Sequence, residues 1–246
     1  MKGNYQPFRL EMSLERMEVI LGYPCAYEET AIIPKKYDLR FAEVVYVECA
    51  YLVVELRGTS DIMAIQNKPS EIMAKVYRAY ISEIFAICNS FESCKDINIR
   101  GDKVSAVFTG IENEKEFVID ALKAASLCNG IINALNIKLQ NVWGDCMKGI
   151  KAGIGVASGR ALVMKAGHAG SGVEDFVYLG DVINKATEIC GLAYNEYDKP
   201  ICVTEDVYLK TVEFATNNDM KEDYQNLLQP QQNKRLGLLY TGEFQD

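Results

Sequence analysis

Residues 96–108 read D-I-N-I-R-G-D-K-V-S-A-V-F. Ile97 and Ile99 before the Gly101-Asp102 pair, and Val104, Ala106 and Phe108 after it, recur with the period of two expected of half-buried strands. A Gly-Asp pair suits a tight turn, because glycine accepts positive φ at little cost, so the stretch predicts a β-hairpin. A carboxylate between apolar strands is expensive unless a cation compensates it. A second stretch, V-V-E-L-R-G-T-S-D at 53–61, has the same character: Glu55 ends an apolar strand and is followed by glycine and hydroxyls. Meeting on neighbouring strands, Glu55 and Asp102 make a site for a hard divalent cation that carries phosphates. The same residues also fit a plain structural role, with Asp102 shaping the turn and Glu55 pairing with Arg57 or Arg100.

Outward from these stretches the chain alternates strands and helices. Ala42 to Leu56 is apolar on both faces, the pattern of a central strand. A helix is expected from about Ser70 to Phe91, with Ile72, Val76, Tyr80, Ile84, Ile87 and Phe91 in one stripe, and another from about Glu114 to Leu139. Residues 148–157 and 160–165 read as two strands, joined by a glycine-rich loop at 166–172 to a strand at Asp175–Leu179. A helix over 180–193, a strand at 201–203 and a short helix from Glu205 to Leu209, capped by Thr204, follow. Residues 212–235 read as irregular and 236–244 as a last strand. Upstream, residues 1–43 form a lead-in whose amphipathic helix at 10–21 is expected to pack on the main domain or on a partner subunit. Residues 44–246 then make a single α+β domain, a mostly antiparallel sheet with helices on one face.

Composition narrows the function classes. The 246 residues are 49% hydrophobic and 24% charged, ordinary for a globular protein with a sizeable core. A formal charge of −8 argues against a nucleic-acid binder, which carries a basic face, but leaves room for a small anion in one local pocket. The eight cysteines show no C-x-x-C spacing and sit mostly in apolar runs, so reduced, buried thiols in a cytoplasmic protein are expected. No basic-then-apolar leader opens the chain and no uninterrupted apolar run reaches about 18 residues, so no membrane partner is expected. His168 is the single histidine, which weighs against histidine-rich zinc sites and against a Ser-His-Asp hydrolase.

Four motifs in order resemble the class III nucleotidyl cyclases over about residues 44–244. V-V-E-L-R-G-T-S at 53–60 resembles their first metal-binding strand, and I-N-I-R-G-D-K-V-S-A-V-F at 97–108 their metal-binding hairpin. G-I-K-A-G-I-G-V-A-S-G-R-A-L-V-M-K-A-G at 149–167 and D-F-V-Y-L-G-D-V-I-N-K-A at 175–186 resemble their glycine strand and the start of the helix after it. The finer texture is similar to the bacterial pyrimidine cyclases of the Pycsar anti-phage systems. The resemblance implies a ferredoxin-like core and conversion of UTP or CTP to a 3′,5′-cyclic monophosphate and pyrophosphate, with UTP preferred. It implies Mn²⁺ or Mg²⁺ held by Glu55, the Leu56 carbonyl and Asp102, and phosphate contacts from Gly58, Thr59, Ser60 and Arg235. Asn184 orients the ribose, Arg57 and Lys185 are candidate catalytic cations, and Tyr51, Asn98 and Val177 line the base pocket. It further implies a homodimer with sites at the interface, and a separate effector that binds the cyclic nucleotide.

The chain departs from the family pattern at three places. Glu55 stands where Asp is usual, Glu188 stands where a transition-state Arg is usual, and Leu236, beside Lys234 and Arg235, stands where a phosphate-binding Lys is usual. These departures keep two other readings open: a cyclase fold that binds nucleotide or a partner without turnover, and a purine cyclase.

Overall fold

The structure is a computed structural model that describes residues 7–22, 24–30, 32–34, 39–40, 42–58, 69–110, 116–144, 149–168, 173–218 and 227–244. In chain order the elements are α1 (Leu10–Gly22), β1 (Ala26–Glu29), β2 (Glu43–Arg57), α2 (Pro69–Asn89), β3 (Cys94–Arg100), β4 (Lys103–Phe108), α3 (Glu116–Trp143), β5 (Lys151–His168), β6 (Val173–Leu179), α4 (Asp181–Leu192), β7 (Ile201–Thr204), α5 (Glu205–Asn218), β8 (Leu228–Asn233) and β9 (Gly237–Gly242). The strands form one sheet in the order β3-β4-β2-β5-β7-β9-β8, with β1 added to β2 and β6 to β5. Only the β1–β2 and β5–β7 pairs are parallel. The mixed α+β class with a mostly antiparallel sheet is as expected.

β2 holds the molecule together. It pairs antiparallel with β4 over Ala50–Glu55 and with β5 over Val44–Arg57. Its even-numbered residues Ala50, Leu52, Val54 and Leu56 join Ile72, Val76, Tyr80 and Ile84 of α2 and Phe117, Ala121 and Cys128 of α3 in one core. Its odd-numbered residues Val45, Val47, Cys49, Tyr51 and Val53 join Val182, Ala186 and Cys190 of α4 in another. Helices therefore cover both faces of the sheet, where one face was expected. α3 is long and apolar enough to cross a membrane by composition, but more than half of that apolar stretch is buried inside the protein.

Other boundaries also differ from the sequence reading. Residues 151–168 are one strand, because pairing with β2 runs unbroken through Gly159, which lies opposite Cys49. α5 runs to Asn218, and β1 and β8 form from stretches too polar or too short to show a strand period. None of the α1 residues is buried, and Leu10, Leu14, Met17 and Leu21 are exposed, so the helix does not pack on the domain. Cys49, Cys88, Cys128, Cys190 and Cys202 are buried free thiols, and Cys146 lies outside the described residues.

The glycines of the 149–167 motif let α4 approach the sheet. A Cβ on Gly155 would lie 2.3 Å from the Ala186 carbonyl oxygen and 2.6 Å from the Cys190 nitrogen. A Cβ on Gly180, at φ +155°, would lie 2.7 Å from the Arg160 carbonyl oxygen. These neighbours are backbone and cannot swing aside, so Gly155→Ala must push α4 off β5. Overpacking of this kind costs about 3 kcal/mol. A drop in Tm of roughly 5–10 °C in a thermal melt is expected, and an unchanged Tm would contradict the close packing.

Candidate active site

Glu55 lies near the end of β2 on the α4 side of the sheet. The register sets it opposite Lys103 on β4 and Gly153 on β5. The Lys103 ammonium is 3.0 Å from Oε1, and the Arg57 guanidinium pairs with Oε2. Arg57 also donates to the Cys190 carbonyl at 2.8 Å, in the last turn of α4, where carbonyls lack helix partners and favour cations. Gly153 leaves room for this bridge, since a Cβ there would lie 2.7 Å from the Cys190 oxygen and 3.0 Å from the guanidinium. The Glu55 side chain is 16% exposed. Burial opposes its ionisation, but Arg57 and Lys103 outweigh burial and hold its carboxyl below the usual range.

Asp102 stands half-buried at the tip of the β3–β4 hairpin, a two-residue loop with Gly101 at φ +64°. The β2–β4 ladder ends at Glu55 and Lys103, so Asp102 lies just beyond it. The Leu56 N–H reaches the Asp102 carbonyl at 3.3 Å. From α2, the buried Tyr80 hydroxyl donates to the Val54 carbonyl at 3.0 Å and to the Asp102 carbonyl at 3.2 Å. The two carboxylates expected to act together thus sit on adjoining backbone. Their oxygen donors, at a place where Glu55 already gathers positive charge, fit a hard divalent cation such as Mg²⁺ or Mn²⁺. No group of three or more His, Cys, Asp or Glu side chains forms a metal cage among the described residues. Substrate or water oxygens must therefore complete any shell here.

The same face carries a polar cluster. The Tyr51 hydroxyl bonds Ser105 Oγ at 3.0 Å, and Asn98 Nδ2 donates to Asp96 at 3.0 Å. Cross-strand register puts Asp96 beside Val107 and Asn98 beside Ser105, next to Tyr51 and Val53. Val177 does not join them. It pairs with Met164 on the opposite face of β6, while its neighbour Tyr178 packs into the Tyr51 side. The Tyr178 hydroxyl is buried near Asp96, and burial followed by the Asp96 charge keeps its pKa well above the usual range.

On α4, Val182, Ala186, Ile189 and Cys190 are buried, which turns Asn184 to solvent. At 1.5 Å per residue, Asn184 lies about 9 Å along the helix from Cys190, where Arg57 and Glu55 sit. Lys185 pairs with Asp181 at 3.5 Å. Glu188, one turn after Asn184, pairs with Arg235 from the β8–β9 turn, so one departure from the family pattern meets the candidate phosphate contact next to another, Leu236. Gly58 is exposed at φ +75°, and Thr59 and Ser60 lie outside the described residues.

Sequence reasoning missed Lys103, Tyr80, Ser105, Asp96 and Tyr178. The hairpin turn sets Lys103 opposite Arg100, and only the β2–β4 register brings it to Glu55. Tyr80 was read as one more residue of an apolar stripe, and nothing local marks its hydroxyl.

A depressed folded pKa means that Glu55 contributes stability above the ordinary carboxylate pKa and loses it as pH falls through the folded value. Without divalent cation, Glu55→Gln is therefore expected to be less stable than wild type to denaturant near neutral pH. The difference should close as pH falls through that depressed folded value. An equal difference at both ends would show that ionisation of Glu55 contributes nothing.

No family model matches the chain. It is 47% identical over 246 residues to a uridylate cyclase of Gulbenkiania mobilis, covering 99% of this chain and 95% of that one. It is 30% identical over 194 residues to a uridylate cyclase of Treponema porcinum, covering 79% and 65%. Among solved structures it is similar to the adenylyl cyclase CyaB from P. aeruginosa, with a TM-score of 0.65, 13% identity, and 83% and 97% of the two chains covered. A bacterial light-regulated adenylyl cyclase superposes with a TM-score of 0.60 at 18% identity, covering 80% and 90%. With near full-length identity to the first of these relatives and the fold of the last two, the chain belongs to the uridylate cyclase family of nucleotidyl cyclases, built on the class III cyclase fold.

Proposed function

We propose that the protein converts UTP to 3′,5′-cyclic UMP and pyrophosphate. The observation that carries this reading is the meeting of Glu55 and Asp102 at the end of β2, with Glu55 already matched by two cations. The two carboxylates and the Leu56 carbonyl hold Mg²⁺ or Mn²⁺. A bound ion of this kind neutralises the triphosphate and lowers the pKa of the ribose 3′-hydroxyl. The 3′-oxygen attacks the α-phosphorus, its proton passes to solvent, and the bond from the α-phosphorus to the bridging oxygen breaks to release pyrophosphate. Arg57 is already engaged by Glu55 and by α4, so we assign it to holding the carboxylate in place.

Gly58 offers its backbone N–H to the phosphates, and Thr59 and Ser60, outside the described residues, are assigned the same role. Asn184 orients the ribose, and Lys185 adds positive charge beside it. Arg235, held by Glu188, supplies a guanidinium from the β8–β9 turn where the helix itself offers a carboxylate. In the base pocket, Tyr51 is fixed by Ser105 and leaves space for a small base. Asn98 gives one Nδ2 hydrogen to Asp96, and its Oδ1 can accept the N3–H of uracil. Tyr178, not Val177, closes the pocket on this side within one chain.

The exposure of Asn184, away from Glu55, supports a two-fold homodimer in which each site takes its carboxylates from one chain and Asn184 from the other. Within the lead-in 1–43, α1 stays outside the cyclase domain, whereas β1 joins its sheet and Ile33 and Leu39 are buried in the α4-side core. The product then acts on a separate cyclic-nucleotide-binding effector in anti-phage defence, in the cytoplasm, without a nucleic-acid or membrane partner. Loss of the gene with its neighbours intact is expected to raise phage sensitivity.

Purified protein incubated with each of the four nucleoside triphosphates and Mn²⁺ is expected to yield cyclic UMP by chromatography. A cyclic purine product, or no cyclic product from folded protein, overturns the reading; the second result favours a binding domain without turnover. Asp102→Ala should lower the rate on the order of 100-fold or more, as loss of a metal ligand does. Asp102→Ala and Asn184→Ala are each expected to be inactive, while their mixture recovers about one quarter of wild-type activity after free subunit exchange. Half the dimers are then mixed, each with one intact site. A mixture that stays inactive despite exchange means that the site lies within one chain.

A further inference from the structure

We infer that Tyr80 is a positioning residue for the Glu55–Asp102 pair, its hydroxyl fixing from the far side of the sheet the spacing of the two carboxylates. The inference rests on the metal-binding reading above.

The β2–β4 ladder ends at the Glu55–Lys103 pair, and Gly101-Asp102 projects beyond it. A hairpin tip past its last ladder pair is where strand hydrogen bonds stop restraining the backbone. Two bonds restrain it here: the long 3.3 Å contact from the Leu56 N–H, and the Tyr80 O–H at 3.2 Å, both to the Asp102 carbonyl. The same hydroxyl is 3.0 Å from the carbonyl of Val54, the residue just before Glu55. One proton shared between these carbonyls ties the backbone beside one carboxylate to the backbone of the other. Tyr80 is 1% exposed and packs in the α2–α3 core with Val76 and Ile84, so the ring cannot follow a drifting hairpin. A buried tyrosine needs some partner for its hydroxyl; the two acceptors found here flank the two residues whose separation a cation must match. Divalent cations, Mg²⁺ above all, tolerate little error in ligand distance.

The test titrates Mn²⁺ alone against the protein, following free Mn²⁺ by electron paramagnetic resonance, so that turnover plays no part. Wild type is expected to bind, and Asp102→Asn is expected not to. Tyr80→Phe is expected to weaken Mn²⁺ binding about 3- to 10-fold, the loss of one hydrogen bond, with its circular dichroism unchanged. Its Leu56 amide should exchange faster with deuterium than in wild type. Should the phenylalanine variant unfold, 4-methylphenylalanine at position 80 fills the volume without a donor and is expected to bind weakly. 4-Aminophenylalanine keeps a donor there and is expected to bind like wild type. Mn²⁺ affinity within twofold of wild type in a donor-less variant overturns the role of Tyr80 while leaving the metal site standing. Equal Mn²⁺ binding by wild type and Asp102→Asn overturns the metal reading itself, and the Tyr80 role with it.

Discussion

A carboxylate stands near the end of a strand that is buried on both faces and paired along both edges, and much of the molecule follows from that. β2 has no freedom of register: a slip by one residue would exchange the α2–α3 core set for the α4 core set. Glu55 is therefore delivered to one place, and at 16% exposure its charge has to be met there. Lys103 meets it from the hairpin and Arg57 from two residues along the same strand. Truncating either cation leaves charge imbalance in a partly desolvated setting, a larger effect than loss of a surface pair.

The compensation also links elements that are far apart in sequence. Arg57 touches Glu55 with one nitrogen and the C-terminal end of α4 with another. Its Nε is buried without a partner, so the guanidinium is held in this bridge at some cost. The bridge exists only because Gly153 and Gly155 let the α4 backbone lie directly on β5. A glycine-rich strand is weak by itself, and here the weakness is offset by helix packing that no larger residue permits. The glycines of 149–167 thus serve helix approach, and through it the position of the acidic site.

Glu188, which departs from the family pattern, makes sense together with Arg235. Glu188 alone places negative charge where phosphate chemistry wants positive charge. Paired with Arg235, it becomes the anchor of a guanidinium carried on a different element. Arg235 is largely exposed, so the ion pair itself adds little stability. Its value lies in orientation, because a tethered exposed arginine samples fewer positions than a free one.

The sequence by itself determined the local periods and therefore the class of fold. The alternation in 96–108, the two-sided apolar run of β2 and the helical stripes of α2 and α3 are properties of neighbouring residues, and each formed where its period placed it. That Glu55 and Asp102 lie on neighbouring strands was legible from the two apolar strands that each carboxylate ends. Whatever depended on register between distant segments was not legible. Nothing local in D-F-V-Y-L told which of Val177 and Tyr178 lies on the Tyr51 side within one chain; the β5–β6 register puts Tyr178 there. Glu188 looked like a departure and Arg235 like an unrelated phosphate contact until α4 and the β8–β9 turn were brought together. Tyr80 looked like one more core aromatic, because a helical stripe records which side is apolar and says nothing of which carbonyls lie beneath it. Periodicity is written in side chains a few residues apart, whereas contacts between residues such as Arg57 and Cys190 are decided by sheet register and helix approach, which only the packed tertiary structure sets.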